Sequence, residues 1–183
     1  MSRYFLILLG ALLGAQVLPA QTPNPLSAEL HESYTIIKNY LLKMADKMPE
    51  QDYAFRPVPA VETFGRRVAH IAGANYRTCS GLDGDAQRLD TASKTSKADL
   101  VALLKQSFAA CDRVFDSLTD VSAVQKVDGR LGSPPSPGQM RTRLSILWNV
   151  VRHSNELYGY MSVYLRMNGV VPPSSEPRTA VPE

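Results

Sequence analysis

Between Trp148 and Pro173 the chain reads WNVVRHSNELYGYMSVYLRMNGVVPP, a run that fits one long helix with a sharp stop. Gly169 supplies a residue tolerant of left-handed backbone, and Pro172 and Pro173 cannot continue a helix. Extended upstream, this helix is expected from about Gln139 to Asn168. Its apolar arc is wide. Met140, Leu144, Leu147, Val151, Tyr158, Met161 and Leu165 fall on one line, with Ile146, Val150, Leu157 and Tyr164 beside it. A helix with so broad an apolar face must be buried against several neighbours.

Three further segments supply those neighbours. Leu30, Tyr34, Ile37, Leu41, Met44 and Met48 recur at spacings of three and four, with Ser27 as the expected N-cap and Pro49 as the stop. Thr63 is expected to cap a second helix, from Phe64 to about Gly81, whose stripe is Phe64, Val68, Ile71, Asn75 and Cys79. Ser96-Lys97-Ala98-Asp99 resembles a capping box and opens a third, carrying Leu100, Leu104, Phe108, Cys111, Phe115 and Leu118. Between these lie a loop at 50–62, a polar crossover at 82–95 and a turn-rich stretch at 119–138. Nothing reads as a β-strand. The expectation is an all-α four-helix bundle over 27–173, preceded by a linker at 21–26 and followed by a disordered polar tail at 174–183.

The chain opens with Met-Ser-Arg3 and then runs apolar from Tyr4 to Val17, ending in Leu18-Pro19-Ala20. That pattern predicts a secretory signal peptide over 1–20, because the apolar run is short for a span and no charge follows it. A retained membrane anchor is the alternative. Export to the periplasm or beyond follows from the first reading. Losing Arg3 with the leader takes 20 basic residues to 19 against 17 acidic ones, a net +2. So small and dispersed an excess argues against nucleic acid as a partner.

Export would also place Cys79 and Cys111, the two cysteines, where disulfides persist. A pair of buried free thiols is the alternative. At about 1.5 Å per residue, Cys79 stands about 22 Å along the second helix and Cys111 about 21 Å along the third. Antiparallel helices would hold the sulfurs at levels roughly 18 Å apart, so the expected Cys79–Cys111 disulfide demands that these helices run parallel. The 82–95 crossover is long enough to return the length of a helix.

The closing segment resembles the last helix of the DinB-like superfamily, small four-helix bundles that often bind a divalent metal. Gly159, Tyr164-Leu165-Arg166, Gly169 and Pro172-Pro173 carry the resemblance, and His70, in TFGRRVAHIAG, matches the family's ligand on the second helix. The resemblance implies an up-down-down-up order and a triad of histidines. His153 matches the first histidine of the last helix. Four residues on, where the second is expected, Leu157 stands, and Tyr160 replaces the polar residue after Gly159. Two imidazoles, His70 and His153, thus remain as candidate metal ligands. On a helical wheel His70 lies off the apolar stripe, on the side of Arg66 and Arg77, whereas His153 is flanked by apolar residues. His31, near the bottom of the first helix, lies roughly 12 Å below His70 and is a poor substitute ligand.

Characterised members of that superfamily include metal-dependent thiol transferases and an isomerase that uses a low-molecular-weight thiol, and those activities depend on the whole triad. The resemblance therefore implies an exported domain with a degenerate site, acting as a small-ligand binding or interaction module. Zinc or nickel is the expected divalent metal, held weakly. A metal-dependent transferase or isomerase working through His70, His153 and waters is the alternative reading, and a structural envelope protein is a third. Neither a nucleophile elbow nor a phosphate-cradling glycine loop is present. Five tyrosines (34, 40, 158, 160 and 164) fit core packing better than a pocket lining, and the Arg66-Arg67 and Arg141/Arg143 pairs read as solvated faces.

Overall fold

The structure is a computed structural model that describes residues 23–85, 87–132 and 135–177. The expected signal peptide and the far end of the expected tail lie outside these residues. Four long helices form the bundle: α1 (Pro25–Lys47), α2 (Phe64–Leu82), α3 (Lys97–Asp116) and, after a short α4 (Asp120–Ala123), α5 (Arg143–Met167). No helix among the described residues is long and apolar enough to cross a membrane.

The starts follow local chemistry. Thr63 accepts from the backbone of Arg66, Ser96 from Asp99 and Thr142 from Ser145, each satisfying an N–H that the first turn leaves unpaired. At the end of α5, Gly169 adopts φ 70°; its N–H donates to the carbonyl of Arg166, and that of Val170 to the carbonyl of Leu165. This is a Schellman closure, as the Gly169 signal predicts.

Two helix starts differ from expectation. α1 begins at Pro25 rather than after Ser27, with Asn24 in the left-handed region as its cap residue. Proline suits a first turn, and Asp120 replaces the absent serine cap: its carboxylate accepts from the Ser27 backbone and hydroxyl, both at 2.8 Å, while Asn24 Oδ1 accepts from the Asp120 backbone. α5 starts at Arg143, not Gln139, because Met140–Thr142 form a strand, β2, paired antiparallel with β1 (Lys126–Asp128). The register sets Lys126 against Thr142 and Asp128 against Met140. Strands of three residues are too short to show an alternating pattern, so the expectation of no strand fails here.

The tail also differs. Pro173–Ser175 form a 3₁₀ turn, and Glu176 pairs with both Lys43 and Lys47 of α1, so chain order continues past the expected boundary at Ser174. Tyr158 donates to Ser174 Oγ at 2.9 Å, tying this segment to α5 as well.

Helix directions follow from contacts at both ends. Cys79 and Cys111 are joined by a disulfide with their Cα atoms 4.9 Å apart, and Gly65, at the start of α2, packs against Leu100 at the start of α3. Those two helices are therefore parallel. Tyr34, early in α1, donates to Asp112, late in α3, while Lys97, early in α3, donates to the carbonyls of Asp46 and Met48 at the end of α1. Phe64, at the start of α2, lies beside Tyr164 near the end of α5. The order is up-down-down-up. All four stripes meet in one core, where Tyr34 stacks on Phe115 and Tyr53 meets Phe64 edge-on.

Candidate functional site

The antiparallel seam of α2 and α5 brings His70 and His153 together. Their Nε2 atoms are 3.1 Å apart, and the rings meet edge to face with centroids at 5.3 Å. His70 is exposed, yet its flank position on α2 is the one that reaches across the seam. His153 is largely covered, its side chain 19% exposed.

Behind His153 stands a carboxylate that the pattern of histidines did not reveal. Glu156, one turn along α5, places Oε2 3.6 Å from His153 Nδ1, and its Oε1 accepts from the Tyr160 hydroxyl at 3.0 Å. A distance of 3.6 Å is long for a hydrogen bond, but the charge biases the proton onto Nδ1. His153 Nε2 is then left as an acceptor, with His70 Nε2–H as its donor. An i,i+3 pairing from His153 was the signal available in the sequence, since those positions share a helix face.

Electrostatics agree with this arrangement. Burial, and then the nearby His70, hold the His153 imidazole below its ordinary range, against the opposing pull of Glu156. The Tyr160 hydrogen bond is foremost in holding the Glu156 carboxyl low, and the same bond raises the Tyr160 hydroxyl.

Two imidazole nitrogens sharing one zinc at 2.0–2.1 Å would stand about 2.8 to 3.4 Å apart for bond angles between octahedral and tetrahedral. The pair has that spacing. A carboxylate behind a histidine also resembles the outer support common to metal-bound imidazoles. The third position does not fit: Leu157 is 2% exposed, packed into the core. Among the described residues, no three His, Cys, Asp or Glu side chains form a cluster that could hold a metal ion.

The remaining candidates lie elsewhere. His31 Nε2 contacts Asp116 Oδ1 at 2.9 Å on the α1/α3 side. Tyr34 is buried beside Phe115, Tyr40 stacks with Tyr158, and Tyr164 donates to the Glu62 carbonyl. Arg66 donates to the Thr91 carbonyl and Arg141 to Ser145. A groove of about 400 Å³ runs between the starts of α1 and α5, lined by Leu26, Leu30, Leu144 and Trp148 among others. Nothing in the sequence marks these four residues as a pocket, because groove walls come from separate helices.

Solved structures share this fold. A DinB-like protein from Bacillus cereus superposes with a TM-score of 0.62 at 18% identity, covering 80% of this chain and 95% of that one. A DinB-like protein from Bacillus subtilis gives 0.60 at 18%, covering 85% and 96%, and a conserved protein from Enterococcus faecalis gives 0.53 at 15%, covering 76% and 97%. No curated protein matches the chain. The DinB superfamily profile matches residues 34–161, from the third turn of α1 through His70 and the histidine-bearing part of α5, and the chain belongs to that superfamily.

Proposed function

We propose that this is an exported DinB-superfamily domain with a degenerate metal site, acting as a small-ligand binding or interaction module. The observation that carries the reading is Leu157, whose side chain lies in the apolar core one turn after His153. A metal at His70 and His153 would have two protein nitrogens and a shell otherwise of water, so a divalent ion such as zinc or nickel is held weakly. The groove lined by Leu26, Leu30, Leu144 and Trp148 offers an apolar surface of a size suited to a small molecule. The Cys79–Cys111 disulfide is compatible with export, because such bonds persist in oxidising compartments.

The 3.1 Å spacing of the two Nε2 atoms favours a second reading, a metal-dependent enzyme of the thiol-transferase or isomerase type. A bound divalent ion would supply Lewis acidity and acidify a bound thiol or water. His70 and His153 would hold it, and Glu156 would orient His153.

Calorimetric zinc titration of the protein, purified without a histidine-rich tag, separates the two. The first reading expects binding no tighter than about 10 μM, roughly −7 kcal/mol. Submicromolar binding lost in both His70→Ala and His153→Ala would overturn it in favour of the enzyme.

A further inference from the structure

One turn along the seam from the histidines lies a small polar niche between α2 and α5, whose walls include Asn75, Thr78, Ile146, Asn149 and His153. Its volume is about 10 Å³, room for one water molecule. Three of its walls are buried polar side chains in an otherwise apolar core: Asn75, Thr78 and Asn149.

Asn149 is 8% exposed, and no group among the described residues accepts from its Nδ2. On its other side Arg152 Nε lies 3.5 Å from Asn149 Oδ1. A guanidinium has only donors, so the carbonyl oxygen belongs on that side, which leaves the buried amide N–H groups in want of an acceptor. Across the seam the complementary groups are acceptors. Thr78 spends its hydroxyl proton on the Leu131 carbonyl at 2.9 Å and keeps its lone pairs. Asn75 points Nδ2 at Ser154 Oγ, 3.4 Å away, which leaves Asn75 Oδ1 to accept.

We propose that this niche is a hydration site for one resident water. The water accepts from Asn149 Nδ2 and donates to the side-chain oxygens of Asn75 and Thr78. Three such partners match the usual environment of a buried water, whereas dry cavities of this kind are lined by apolar groups. The site joins α2 to α5 through an exchangeable molecule beside the His153 ring, which also lines the niche. It uses neither the histidine pair nor a metal, so it stands whichever reading of the function holds.

Water-selective NOE and ROE spectroscopy on the ¹⁵N-labelled protein tests the assignment. The expected result is a cross-peak from water to the Asn149 side-chain amide protons, with the sign of a water that stays longer than a nanosecond. Thr78→Val, which removes one acceptor but keeps the shape, should weaken that cross-peak by twofold or more. A folded wild-type protein whose Asn149 amide protons show no water cross-peak would overturn the proposal, whether or not the variant folds. A high-resolution crystal structure with a protein atom filling the niche would do the same.

Discussion

His70 Nε2 and His153 Nε2 stand 3.1 Å apart across the α2/α5 seam, although 83 residues separate them in the chain. At that distance only one of the two nitrogens can carry a proton comfortably. The pair therefore shares a single proton along this contact, and two protonated rings would set two positive charges against each other.

A pH dependence of stability follows. The folded state depresses the His153 pKa below the 6.5 of a free imidazole, so the unfolded chain binds more protons between those two values. The contribution is fully present above pH 6.5 and is lost as the pH falls through that window. Urea unfolding from pH 8 down to pH 5 should show this loss in the wild type and a flatter profile in His153→Gln. Equal slopes in both proteins would contradict it.

Leu157→His tests the missing ligand. Replacing a leucine in the core by a polar ring should destabilise the metal-free protein by about 2 to 4 kcal/mol. Zinc should recover part of that loss and bind the variant at least tenfold more tightly than the wild type, since a third imidazole replaces a water. Melting curves with and without zinc report both effects. An unchanged zinc affinity would place the new imidazole away from the His70–His153 pair.

The Cys79–Cys111 disulfide closes a loop of 32 residues. Chain entropy assigns such a closure about 3 to 4 kcal/mol. Denaturant unfolding of the Cys79→Ala/Cys111→Ala double variant should reveal a loss of that order, with the helical circular dichroism spectrum retained. A loss below about 1 kcal/mol would mean that the core alone fixes the α2/α3 pairing.

Gly129 probes the small sheet. A Cβ there would meet the carbonyl oxygens of Gln139 and Ser136 at 2.5 and 2.7 Å, and backbone cannot swing aside as a side chain can. Gly129→Ala should cost about 1 to 3 kcal/mol, read from a lower urea midpoint. Near-wild-type stability would show that the hairpin shifts freely.

The four helices were legible because each carries its own evidence. Stripes at spacings of three and four persist over whole segments, and Thr63, Ser96 and Gly169 mark termini through interactions with their immediate neighbours. The spacing of Cys79 and Cys111 even constrained the direction of α3, since sulfurs at unequal heights cannot bond. His70 and His153 were identifiable as candidates by their resemblance to a family pattern, and Leu157 as a departure from it.

Other features were set by groups distant in the chain. The start of α1 was misread because Asp120, 93 residues beyond Ser27, supplies the acceptor. β2 takes residues from the expected last helix because its partner strand lies across a loop, and three-residue strands leave no period to detect. The order at Glu176 comes from Lys43 and Lys47, on a helix at the other end of the sequence. For the same reason Asn149 is an ordinary polar residue in the sequence, and only the approach of α2 to α5 encloses its amide beside His153. Local sequence determines helices because their hydrogen bonds close within four residues, whereas caps between elements, sheet edges and buried polar niches depend on tertiary packing.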